Sequence, residues 1–136
     1  MRAVIDTNIL IRALIKPDGT VGPVLRKLVA GAYTIIYSEP LLKELLAKLV
    51  LPRIRDKYHI NDDAVEALLE VIALRGKLVL PERTVHVCRD PNDDMVIETA
   101  LAGNARYVVT GDQDLLVLKS FEAVRFVTPR VFLQHL

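Results

Sequence analysis

Four short apolar runs constrain this chain more than anything else in it: "RAVID" (residues 2–6), "YTIIY" (33–37), "YVVT" (107–110) and "VRFV" (124–127). Each is too short for a helix and rich in β-branched or aromatic residues, so each reads as a strand. Segments with helical spacing separate them. Val21 to Ala30 reads as a helix closed by Gly31. Ser38, Glu39 and Pro40 start another. Its apolar stripe is Leu41, Leu42, Leu45, Leu46, Leu49 and Val50, and Pro52 bends or ends it. Asn61 and Asp62 open a helix running to about Arg75. Asp93 to about Ala102 forms the next, ending at Gly103. Short helical pieces are expected near Asn8, from the turn "GDQDLL" onward and from Pro129. "KLVL" and "TVHVC", on either side of Pro81, read as two further short strands. Strands that alternate with helices predict an α/β domain with a mainly parallel sheet and helices on both faces. The length, 136 residues, suits one domain over 1–136.

Composition narrows the function classes. Eighteen basic residues face 17 acidic ones, so net charge points to neither a nucleic acid nor a membrane, and local clustering must decide. Cys88 is the only cysteine, which rules out an internal disulfide and fits a reducing compartment. No apolar run reaches the roughly 20 residues of a membrane span, and the N-terminus lacks the pattern of a secretion signal. A cytoplasmic setting is expected. The histidines are scattered without ligand spacing, which argues against zinc. No phosphate-binding glycine loop and no Ser-His-Asp arrangement is present.

The acids are unevenly placed. Asp6 ends a buried strand, and a charge there needs a partner. Between Asp90 and Asp114 lie six acids (Asp90, Asp93, Asp94, Glu98, Asp112, Asp114) against a single cation, Arg106. In an open parallel sheet ligands bind outside the carboxyl ends of the strands. Asp6, the acids after "TVHVC" and those after "YVVT" would converge at that edge. Asp94 and Glu98, four apart, share a helix face. Gathered carboxylates repel, and a divalent cation such as Mg²⁺ or Mn²⁺, which prefers oxygen ligands, relieves them. Singly each acid has an ordinary explanation: helix-dipole partners for Asp93 and Asp94, turn acids for Asp90 and Asp112, a surface pair with Lys48 for Glu44. Asn8 is likewise a good helix cap. The convergence is what favours a metal site.

These segments resemble the PIN-domain ribonuclease family. The resemblance covers essentially the whole chain and rests on "VIDTNIL", "SEPLLKEL", "DPNDDMVIETALAGNARYVVTGDQDLL" and "VTPRVFL", in that order. It implies a three-layer α/β/α fold and a Mg²⁺- or Mn²⁺-dependent endoribonuclease. It is nearest to the prokaryotic branch that holds toxins of toxin–antitoxin systems, relatives of the VapC-type toxins. The family's acids match Asp6, Glu44, Asp94 and Asp112, with Asp114 the neighbouring candidate for the fourth; that choice stays open. Asp6, Asp94 and Asp112 would hold the metal, with Glu44 holding a second ion or orienting water. Asn8, Thr110 and Glu98 would support them. The resemblance also implies a homodimer and a small antitoxin partner. Arg12, Lys16, Arg53, Arg55, Lys57 and Arg89 are candidates for steering an RNA backbone, with Tyr58 able to stack on a base. The alternatives are a non-catalytic module binding RNA or protein, and another Mg²⁺-dependent phosphohydrolase.

Overall fold

The apolar runs pair side by side, nearly all in parallel. In the computed structural model, which describes residues 1–136, the order is β1 (Arg2–Ile5), α1 (Thr7–Ile15), α2 (Gly22–Val29), β2 (Thr34–Tyr37), α3 (Glu39–Leu49), α4 (Pro52–Arg55), α5 (Asp62–Arg75), β3 (Gly76–Leu78), α6 (Pro91–Ala102), β4 (Tyr107–Val109), α7 (Gln113–Leu116), β5 (Ser120–Phe121), β6 (Val124–Val127) and α8 (Pro129–Gln134). The six strands lie in the order β3-β2-β1-β4-β6-β5. Only β5 is antiparallel, on β6. Val4 pairs with Val108 and Ile5 with Val109, so β1 and β4 end level with each other.

Side-chain alternation along the strands divides the core in two. Ala3, Ile5, Ile35, Tyr107 and Val109 face a 20-residue cluster built with α1, α2, α3, α5 and α8. Val4, Ile36, Val108 and Phe126 face a 12-residue cluster built mainly with α6. The result is helix, sheet, helix, as expected. In the first cluster Phe132 meets the Tyr33 ring edge-on at 4.9 Å, and the Tyr33 hydroxyl donates to the Val24 carbonyl at 2.7 Å. Gly76 joins α5 directly to β3: a Cβ there would stand 2.4 Å from the Ile72 carbonyl oxygen and 2.8 Å from Ile35 Cγ2. No helix is long and apolar enough to cross a membrane.

Some elements differ from expectation. "TVHVC" is no strand. It is an irregular segment anchored by buried Val85, which packs in the same cluster as Val96, Ile97 and Ala100 of α6, and the amides of Val87 and Cys88 are taken by the Asp94 carboxylate instead of a neighbouring strand. "KLVL" pairs with β2 at Lys77 and Leu78, and the Val79 amide adds one bond to the Tyr37 carbonyl at 2.8 Å before the strand ends. The chain after Pro52 makes a turn of helix, α4, of its own, and β5 closes a hairpin onto β6. Helix α1 begins at Thr7 and is capped by Asp6, whose carboxylate accepts from the Asn8 amide at 3.1 Å. Asn8 is therefore inside the helix and does not cap it.

Candidate metal centre

The strand order reverses between β1 and β4, and the first polar residue after each strand faces the other across that seam. Thr110, fully buried, donates its hydroxyl to Asp6 Oδ2 at 2.8 Å. The same hydroxyl oxygen accepts from the Asp112 amide at 3.0 Å. One side chain thus fixes an acid on each strand end. The Asp6 amide donates to the Val109 carbonyl at 2.9 Å, which locks the turn. Asp112 then caps α7, accepting from the Asp114 amide at 2.9 Å. Gly111 between Thr110 and Asp112 has open space around it.

The third wall comes from the first turn of α6. Asp90 caps this helix and Pro91 opens it, which places Asp93 at its third position. One carboxylate oxygen from each of Asp93, Asp112 and Asp114 lies within 4.8 Å of the others. Burial, and then the charges of Asp112, Asp90, Asp6 and Asp114, push the Asp93 carboxyl up to about 6. Crowded, all-oxygen and free of thiol or imidazole, this donor set suits a hard divalent cation such as Mg²⁺ or Mn²⁺.

Asp94, expected as the metal acid of this helix, points elsewhere. It is 6% exposed, and its Oδ1 accepts from the amides of Val87 at 3.1 Å and Cys88 at 2.9 Å. Burial raises its pKa, but those amides outweigh it and hold the group below the ordinary carboxylate range. Glu98 shares that face and lines the groove with Leu80, Glu82 and Arg83, so the structure does not bring it to the acid group. Burial, together with the neighbouring Asp94, Asp93 and Asp112, pushes the Cys88 thiol up to about 12, which keeps it protonated.

Glu44 stands outside the three-acid group as well. Its carboxylate pairs with Lys48 Nζ at 3.1 Å, one turn along α3. Arg89, largely exposed, donates to both oxygens of Asp114 at 3.1 and 3.3 Å and so forms the rim. Arg12 and Lys16 line a separate groove of about 450 Å³ with Tyr58. Lys57 lies 5.4 Å from the Tyr58 ring centre, Arg53 is exposed, and Arg55 pairs with Asp62. A cavity of about 750 Å³ runs between Glu39, Lys43 and residues 78–84, and holds none of the clustered acids. Charge, not concavity, marks the site.

Asp93, read from the sequence as a helix-dipole partner, is the acid of this helix that the structure brings to Asp112 and Asp114; the tilt of helical side chains toward the N-terminus applies to Asp94 equally and does not separate the two from sequence.

Comparison with known proteins agrees with this architecture. A PIN domain family model matches residues 2–114. The uncharacterized protein MJ1680 of Methanocaldococcus jannaschii is 34% identical over 120 residues, covering 88% of this chain and 76% of that protein. Among solved structures, VapBC2 from Rickettsia felis, crystallised bound to a DNA fragment from their promoter, superposes with a TM-score of 0.58 at 18% identity. That overlap covers 93% of this chain and 97% of the other, and it is a likeness of fold.

Proposed function

The chain belongs to the PIN domain family, and from that premise we propose that it is a divalent-metal-dependent endoribonuclease whose centre is formed by Asp6, Asp93, Asp112 and Asp114. The observation that carries the proposal is the meeting of Asp93, Asp112 and Asp114 within 4.8 Å, beside Asp6. Bound Mg²⁺ or Mn²⁺ supplies Lewis acidity toward the phosphoryl oxygens and a more acidic water. The protein's part is to hold the acids in place. Thr110 fixes Asp6 and Asp112, and the α6 cap presents Asp93. Asp6 has both oxygens engaged, by the Asn8 amide and the Thr110 hydroxyl.

RNA is proposed to cross the Arg89 rim and to follow α1 past Arg12 toward Lys16, Lys57 and Tyr58, with Arg53 and Arg55 flanking that path. Basic side chains would hold phosphates and the tyrosine would stack on a base. The same reading makes the chain the toxin of a toxin–antitoxin pair, for which the likeness to the fold of VapBC2 is the support; a cytoplasmic setting, a small antitoxin covering the acids and a homodimer as the working form belong to the proposal.

The test is cleavage of a mixed-sequence single-stranded RNA. Mg²⁺ or Mn²⁺ should support cleavage and chelation should abolish it. Asp93→Asn and Asp112→Asn should each lower the rate by about a hundredfold or more. Cleavage that persists in chelator, or in Asp93→Asn, contradicts the proposal.

A further inference from the structure

Past β3 the chain runs on without a strand beside it. Residues 80–86 form no backbone–backbone hydrogen bond, and Leu80, Glu82, Arg83 and Thr84 are exposed. Peptide groups that a sheet would use stand unused there. Two cavities, of about 750 and 480 Å³, share Leu80, Glu82, Arg83 and Glu98, so they form one groove between this stretch and α6. Part of its apolar lining is held out to solvent: Leu78 is 58% exposed and Leu80 80%. Its charges do not balance. The two cations of the groove are already paired, Lys43 with Glu39 at 3.0 Å and Arg83 with Glu122 through two bonds of 2.9 and 2.8 Å. Glu82 and Glu98 take part in none of the ion pairs. None of Asp6, Asp93, Asp112 and Asp114 lines the groove.

We propose that this groove docks an extended peptide segment of a protein partner, one that carries lysine or arginine between aliphatic residues. Each part of that description answers a feature of the groove. An extended chain supplies the donors and acceptors that residues 80–86 lack. Its aliphatic side chains cover Leu78 and Leu80, together with Met95 and Leu101, which also line the groove. Its cations meet Glu82 and Glu98, the two carboxylates left without a partner. RNA does not fit: its phosphates would face four acids (Glu39, Glu82, Glu98, Glu122) against two bases that are both paired. A symmetric pairing of the groove with a second copy would set the same unpaired glutamates against each other. The docking site is separate from the metal centre and stands whether or not the chain cleaves RNA.

The test is fluorescence anisotropy on the full chain with a labelled synthetic peptide that alternates valine with arginine, set against the same peptide with glutamate in place of arginine. The arginine peptide should bind saturably, and the glutamate peptide about tenfold more weakly or worse. Glu82→Gln combined with Glu98→Gln should weaken the arginine peptide about tenfold. Leu80→Ser, a change at the surface, should weaken it too and leave Mn²⁺ affinity unchanged. Methylating alternate amide nitrogens of the peptide should remove most of the binding, which a purely electrostatic contact would not show. Three results overturn the proposal: no saturable binding by the parent, equal binding of the two peptides, or unchanged binding in the double glutamate variant. A parent that sediments as a dimer and becomes a monomer on Leu80→Ser also overturns it, because the groove is then covered by a second copy.

Discussion

Asp93 and Asp94 sit side by side in the first turn of α6, and one peptide bond separates a carboxyl pushed up to about 6 from one held below its ordinary range. The difference is in what each side chain meets. Asp93 faces other carboxylates, whereas Asp94 faces two amides. For Asp93 the folded chain holds the proton more tightly than the unfolded chain, whose ordinary value is 3.8. Its contribution without metal is therefore fully present below about pH 4 and is lost as pH rises through about 6. Asp93→Asn should stabilise the metal-free protein by about 1–2 kcal/mol above pH 6, with the gain vanishing near pH 4, after allowance for solvent screening. Urea titrations across that range measure it. Asp94→Asn should behave in the opposite way. It should cost about 1–3 kcal/mol at pH 7 through the Val87 and Cys88 amides, with Mn²⁺ affinity little changed. Asp6 was legible from sequence because a charge closing an apolar run demands a partner. Asp93 was hidden because its neighbour fits the same pattern, and only side-chain direction separates them.

At the scale of elements, α6 is the piece that joins packing to chemistry. Val96, Ile97 and Ala100 are buried against Val4, Ile36 and Val108, so the sheet fixes the helix and the helix fixes Asp93. Ile97→Ala should cost about 2–5 kcal/mol, read as a drop in urea midpoint. Gly103 closes this helix against Ile36, where a Cβ would stand 2.3 Å from Cγ2. The helices and the central strands were legible because their apolar spacing persists over several residues. "TVHVC" reads as a strand from sequence because its alternation is genuine, but its hydrogen bonds go to a side chain, and periodicity does not record where an amide donates. The two-residue strand β5 and the single turn α4 are too short to leave a periodic trace.

For the whole molecule, the arrangement follows from where the strand order turns. β2 and β3 lie to one side of β1, and β4, β6 and β5 to the other, so the carboxyl ends of β1 and β4 open the crevice that α6 and α7 border. The sequence alone supports the layers and the parallel sheet, since strand and helix alternate. It does not order the strands, and so it does not say which acids meet. A ligand bound only by the folded chain should stabilise it: Mn²⁺ at a hundredfold excess over its dissociation constant should add about 2.7 kcal/mol and raise the melting temperature by several degrees. Asp112→Asn should abolish that rise. Anomalous scattering from a crystal soaked in Mn²⁺ tests the central claim most directly. The expected result is a peak enclosed by Asp6, Asp93, Asp112 and Asp114, with Asp94 still bound to the Val87 and Cys88 amides. A crystal with no peak there, or with its peak on Asp94 and Glu98, would contradict it.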